Sequence, residues 1–232
     1  MKIQSTMLAA FAIFVISSCK PAISVNTTST NTSSPILAQS IDDLSEMVYF
    51  SDPTVPQYNP NSEQYARFPE VIEQLENAGV ESSSILAYAI RFPRYDSYLA
   101  AQSLLKMSPD IIATTVPILV DNLHSEKPDS RIYSVILLAV VGRPSSCAVG
   151  DIALLLWDSN PTVRSATALA LGNITEQNLI ANEYKVEITS SFTPDMIFPD
   201  TPEGKVVEKA RTWWNEQGSK VNWHSTYGTC DP

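Results

Sequence analysis

Histidine is nearly missing from this chain: there are 2 in 232 residues, His124 and His224. Neither lies in an H-x-x-x-H pattern, and no C-x-x-C occurs, so no preformed zinc site is encoded by spacing. Glycine is also scarce, with 7 residues. Neither a glycine-rich phosphate loop nor a G-x-S-x-G nucleophile turn can be found. Basic side chains are outnumbered, 15 Lys and Arg against 25 Asp and Glu, for a formal net charge of −10. That field opposes nucleic acid, whose recognition rests on a basic footprint, and it repels anionic lipid headgroups. The apolar run at residues 7–16 is ten residues long, whereas crossing a bilayer takes roughly twenty.

Two fragments imitate catalytic or metal motifs and fail on inspection. Ser103 and Lys106 fit S-x-x-K, in which a lysine activates a serine, but no S-D-N or K-T-G partner follows. Asp158-Ser159-Asn160-Pro161-Thr162 opens like a calcium loop, yet Val163 stands where the loop needs glycine and Leu169 where it needs glutamate. No cofactor or metal is expected, and catalysis is not.

What the chain does have begins at its N-terminus. Lys2 followed by the short apolar run matches the n- and h-regions of a signal peptide. The run ends in Ile16-Ser17-Ser18-Cys19, which resembles the bacterial lipobox, in which a cysteine receives diacylglycerol and becomes the first mature residue. The resemblance implies a signal peptide at 1–18 and a lipid anchor on Cys19. Because Lys20 rather than aspartate follows, it further implies outer-membrane sorting in a Gram-negative host or surface anchoring in a Gram-positive one. An ordinary signal peptidase cutting at Ala22-Ile23-Ser24 would instead release a soluble secreted protein, with Cys19 an incidental residue of the leader. Ten of the eleven residues from Ser24 to Ser34 are Ser, Thr or Asn. Such a stretch buries too little to offset its ordering entropy, so 19–39 reads as a flexible tether. The N-x-S/T triplets at Asn26, Asn31 and Asn173 are what chance gives in a chain this rich in Ser and Thr.

Beyond Cys19 two cysteines remain, Cys147 and Cys230, an even pair in an exported chain, the setting where disulfides form. Either they bridge, or Cys147 is a buried thiol and Cys230 a loose one.

From residue 40 onward apolar positions recur at helical spacing. Ser40 is a good N-cap for a helix over 41–50. A second helix, 68–78, carries Val71, Ile72 and Leu75 on one face, Glu70, Glu73 and Glu76 as a solvated row on the other, and stops at Gly79. Helices at 84–92 and 95–107, 109–123 and 129–141, and 146–157 and 161–174 then pair as three hairpins. Aligning their second members at Met107, Gly142 and Gly172 gives periods of 35 and 30 residues, in the range of helical repeats that must stack to bury their faces.

The stretch 157–174, WDSNPTVRSATALALGNI, resembles the second half of a HEAT-type repeat. In that pattern Asp158 and Pro161 set the turn, Val163, Ala166, Leu169 and Ala170 face the neighbouring helix, and Gly172 ends the helix. The likeness is to HEAT-like repeats of bacterial proteins, including relatives of phycobilisome lyase subunits, and is clearest over 117–174. It implies an all-α fold, a short right-handed α-solenoid of helical hairpins. It also implies a structural ladder in which Asp158 and Arg164 tie adjacent turns. The preceding repeat offers Asp129 and Arg131 only two apart, so its rung is in question. Bilin attachment at Cys147, by analogy with the lyase relatives, conflicts with an export signal.

After residue 175 the pattern lapses. Tyr184, Val186 and Ile188 alternate within 183–199, as a short edge strand or extended cover would. A last helix at 202–217 starts with Thr201 as N-cap and Pro202 at the first position and ends at Gly218. Its Ala210-x-x-Trp213-Trp214 resembles the capping helix of some bacterial HEAT-like proteins. Trp213 and Trp214 point about 100° apart on a helix, so both cannot face one core. Together with Trp223 they form the candidate ligand platform.

The segments are therefore a signal peptide (1–18), a lipidated linker (19–39), an N-terminal helical cap (40–80), HEAT-like repeats (81–175) and a C-terminal cover with capping helix (176–232). Three function classes follow. One is a non-enzymatic, membrane-tethered module of the bacterial envelope whose groove holds a partner protein or peptide. The second is a secreted small-ligand or glycan receptor using the tryptophans, and the third an enzyme with an unrecognised site. A groove continuous across repeats marks the first, a closed aromatic pocket the second, and convergent buried carboxylates the third.

Overall fold

The computed structural model describes residues 68–92, 95–177 and 203–228, together with Val48, Leu179 and Cys230. The segments expected as signal peptide and linker, with Cys19, the helix expected at 41–50 apart from Val48, and the segment at 183–199 expected as a strand or cover lie outside them. The described residues are mostly α-helical and contain no strand.

Helix α1 (Phe68–Ala78) buries Phe68, Val71, Ile72 and Leu75, a spacing of three and four that makes one apolar stripe. It ends where Gly79 takes φ 68°, a left-handed angle that costs glycine little. A 3₁₀ turn, Gly79–Ser82, leads into α2 (Ser83–Ala89). In that turn Ser82 donates its hydroxyl to the Leu75 and Gly79 carbonyls, satisfying acceptors that the end of α1 leaves open. The same device closes α6 (Pro128–Val141): Gly142 has φ 69°, and Ser145 donates to Leu138 O at 2.8 Å and Gly142 O at 2.7 Å.

Between them run α3 (Tyr95–Leu105), α4 (Pro109–Ala113) and α5 (Val116–Asn122). Two differences from sequence expectation have one cause. The helix expected over 84–92 stops at Ala89, its last residues closing by i→i+3 bonds, because Pro93 disfavours helical geometry at Phe92. The helix expected over 109–123 is broken after Ala113, since Pro117 has no N–H for the Ala113 carbonyl and its ring crowds it. The next expected helix, 146–157, is a 3₁₀ turn Arg143–Ala148, a short α7 (Val149–Leu154) and a 3₁₀ turn Leu155–Trp157. Ser145 and Ser146 bond back three residues there, tightening the coil, and Gly150 gives α-helix little support.

Helix α8 (Pro161–Thr175) starts on Asn160, whose side chain accepts from Thr162 N at 2.9 Å and Val163 N at 3.2 Å, with Pro161 at the first helical position. Val163, Ala166, Leu169 and Ala170 are buried, as their spacing requires. The helix passes through Gly172 instead of ending there and closes at Glu176 in the left-handed region, φ 57°. Gly172 serves a different need: a Cβ there would stand 3.4 Å from Gln177 O and 3.7 Å from Leu179 Cβ, where the chain folds back over α8. Helices α9 (Glu203–Glu216) and α10 (Trp223–Tyr227) complete the described residues.

Packing follows chain order. Helices α1, α3, α6, α8 and α9 pack each against the next, while α2 lies on α1 and α3, α4 and α5 on α6, and α7 on α8. One apolar core runs through them, from Phe68 and Phe92 through Leu104, Leu119 and Ile136 to Leu156, Leu171 and Trp213.

Candidate functional site

The turn before α6 and the turn before α8 are built alike, and the likeness fixes their register. Arg131 donates through Nη1 to Ser125 O at 2.7 Å, and Arg164 through Nη1 to Asp158 O at 2.8 Å, each reaching back six residues. Ser125 and Asp158, Pro128 and Pro161, Arg131 and Arg164 are each 33 residues apart. The counterpart of Asp158 in the earlier turn is therefore Ser125, not Asp129, and equivalent positions of the two turns are 33 residues apart. Arg164 grips the Asp158 carbonyl, leaving the carboxylate for the neighbouring turn. There Arg131 takes it with both prongs, Nε to Oδ2 at 2.7 Å and Nη2 to Oδ1 at 2.8 Å, with side chains only 11% and 7% exposed. Asp158 Oδ1 also accepts from Asn160 N at 2.8 Å. At this joint both guanidiniums, the Asp158 carboxylate and the Asn160 side-chain oxygen are all engaged in holding the fold.

Ser103 and Lys106 are likewise committed. Both donate to Glu76 of α1, Ser103 Oγ at 2.9 Å and Lys106 Nζ at 2.8 Å to each carboxylate oxygen, fastening α3 to α1. Glu76 is thus drawn out of the solvated acidic row. His124 and His224 lie on exposed loop and helix positions, and among the described residues no three His, Cys, Asp or Glu side chains are grouped to hold a metal.

Cys147 and Cys230 form a disulfide with Cα atoms 5.4 Å apart. It pins the end of the chain to the 143–148 turn, against which α10 packs. The three tryptophans also converge: Trp213 lies 6.1 Å from Trp214 and 6.4 Å from Trp223 by ring centroids. They are not an open platform, because Trp213 and Trp223 are each 9% exposed and Trp214 is packed against the core. Gly218 makes this possible. A Cβ at that position would sit 2.6 Å from the Trp214 ring and 2.9 Å from the Trp213 ring.

Two surface features among the described residues bear on function and are not revealed by the sequence alone. One is apolar. Leu154 and Trp157, three residues apart at the end of α7, are 62% and 49% exposed. The Arg211 guanidinium lies 5.6 Å from the Trp157 ring and donates to Leu156 O at 2.7 and 3.1 Å, so α9 fixes the rim of this patch. The other is a hollow of about 220 Å³ where the end of α8, the 143–148 turn, α9 and α10 meet. Its walls include Arg143, Glu176, Gln177, Gln217, Trp223 and Tyr227. No helix among the described residues is long and apolar enough to cross a membrane. Comparison of the chain with protein-family models, with curated proteins and with solved structures returns no match.

Proposed function

We propose that this chain is a non-enzymatic interaction module of the bacterial envelope, exported, lipid-anchored through Cys19 and built as a short right-handed HEAT-like α-solenoid. Sequential packing of hairpin after hairpin, and the 33-residue register of the Arg131 and Arg164 turns, support the solenoid reading. The Cys147–Cys230 disulfide fits an oxidising compartment outside the cytosol.

The observation that carries the interaction reading is the exposed pair Leu154 and Trp157, rimmed by Arg211. Tryptophan and arginine are the side chains most enriched among residues that dominate binding energy, and large apolar groups left in water on a fixed element mark contact surfaces. A partner protein presenting an apolar anchor would cover them. The surface chosen is thus the outer end of α7, not a groove along the stacked helices.

The test is quantitative crosslinking in the native envelope of the intact chain and of a Leu154→Ala/Trp157→Ala variant. Both substitutions remove exposed side chains, so the fold is retained, as far-UV circular dichroism checks. The reading expects one adduct that the intact chain forms and the variant loses. Equal adducts from both, with the same partner, overturn the assignment of this surface.

A further inference from the structure

The hollow at the end of α8 has a chemistry that the Leu154 and Trp157 patch lacks. One wall is a braced aromatic ring. Tyr227 stacks on Trp223 with centroids 5.5 Å apart and planes inclined by 17°, and Trp223 is held by its Nε1–H donating to Gly218 O at 2.9 Å. Tyr227 is nonetheless 44% exposed, so the ring is fixed on one side and open on the other. A ring held this way loses little conformational freedom on contact, which is why Tyr and Trp recur in recognition surfaces.

Around that ring stand four planar, two-pronged polar side chains: Arg143, Glu176, Gln177 and Gln217. Arginine only donates hydrogen bonds, glutamate only accepts them, and glutamine does both. Among the described residues none of the four side chains makes a hydrogen bond or ion pair, and Arg143 and Glu176 do not pair with each other. This contrasts with Arg91, Arg131, Arg164 and Arg211, all of which are bound to backbone or side-chain oxygens. Glu176 is also the one non-glycine residue with positive φ among the described residues. An L side chain adopts that angle only against a steric cost, and such outliers gather at ligand sites.

The ligand's size and charge follow. About 220 Å³ is below the roughly 300–1,000 Å³ typical of sites for drug-sized ligands, and suits a single ring. One guanidinium and one carboxylate on the walls balance, so Glu176 disfavours an anion and Arg143 a cation. A ring carrying adjacent hydroxyls, each both donor and acceptor, matches the two-pronged groups and presents a C–H face to Tyr227. We propose that this hollow binds one neutral sugar ring, stacked on Tyr227 and held through its hydroxyls by Arg143, Glu176, Gln177 and Gln217. The proposal does not rest on the envelope interaction reading.

The experiment is saturation-transfer NMR on the purified chain with its disulfide intact. The probes are the methyl glycosides of glucose, galactose, mannose and N-acetylglucosamine, with acetate and tetramethylammonium as charged probes. At least one glycoside should receive saturation on its ring protons, and Tyr227→Ala should abolish it. Gln217→Ala and Arg143→Ala, which replace exposed side chains outside the core, should each weaken its affinity about tenfold. Should Tyr227→Ala disturb α10, as thiol titration and near-UV circular dichroism would reveal, those two variants decide alone. Silence from all four glycosides, binding of the charged probes only, or unchanged affinity in both exposed-site variants overturns the proposal.

Discussion

Replacing Asp158 by alanine leaves the Arg131 guanidinium, 11% exposed, with the Ser125 carbonyl but without its anion. A charge-assisted bidentate pair of 2.7 and 2.8 Å is lost in a place that water reaches poorly. Removing one partner of a buried pair costs about 3–5 kcal/mol, most of it the penalty of the charge left behind. In a domain of this size each kcal/mol lowers Tm by about 2–4 °C, so the loss should be on the order of 10 °C. Asp158→Asn, which keeps the shape and one acceptor for the Asn160 N–H, should lose roughly half as much. Converting both members to leucine should recover most of the stability, because apolar replacement of a whole buried pair is often neutral. Urea unfolding followed by far-UV circular dichroism gives these values, and adding the single variants Asp158→Leu and Arg131→Leu completes a double-mutant cycle. A cost below about 1 kcal/mol for Asp158→Ala, the range of exposed ion pairs, would refute the view that this joint sets how the two turns stack.

Three further outcomes follow from the geometry. Cys147→Ser opens a link across a sequence separation of 83 residues, which on chain entropy costs on the order of 4 kcal/mol, and intact protein under denaturing conditions should titrate no free thiol from Cys147 or Cys230. Gly218→Ala forces a methyl into the Trp213 and Trp214 rings, and should destabilise by about 1–3 kcal/mol with a change in tryptophan emission. Gly142→Ala meets no neighbour but must hold φ 69° and ψ −135°, so calorimetry should show a loss of about 1–3 kcal/mol from backbone strain alone.

Much of the helical order is legible in the sequence, and the reasons are local. Helices α1, α6 and α8 begin and end within a residue or so of expectation because proline or asparagine starts the last two and a left-handed residue stops each one. The splitting of α4 from α5 was also written there, in Pro117, a signal that apolar periodicity overrides if read alone. A second signal passes unnoticed without the structure: Gly79-Val80-Glu81-Ser82-Ser83 and Gly142-Arg143-Pro144-Ser145-Ser146 are the same turn. Each has a positive-φ glycine followed three residues on by a serine that donates to a carbonyl of the preceding helix, Leu75 O or Leu138 O.

The site is less legible, for a physical reason. Arg143, Glu176 and Tyr227 come from three separate stretches and meet only because the disulfide and the α10 contact bring the tail onto the 143–148 turn. The tryptophans expected as a ligand platform close on each other over Gly218; Trp213 and Trp223 line the hollow from behind, and Tyr227 takes the exposed position.

Export and tethering are the premise on which an envelope module depends, and one mass settles them. The intact mass of the chain recovered from its native membrane should correspond to a mature protein beginning at Cys19 and carrying a diacylglyceryl group. An unlipidated chain, cut after Ser24 or retaining Met1, would contradict the account.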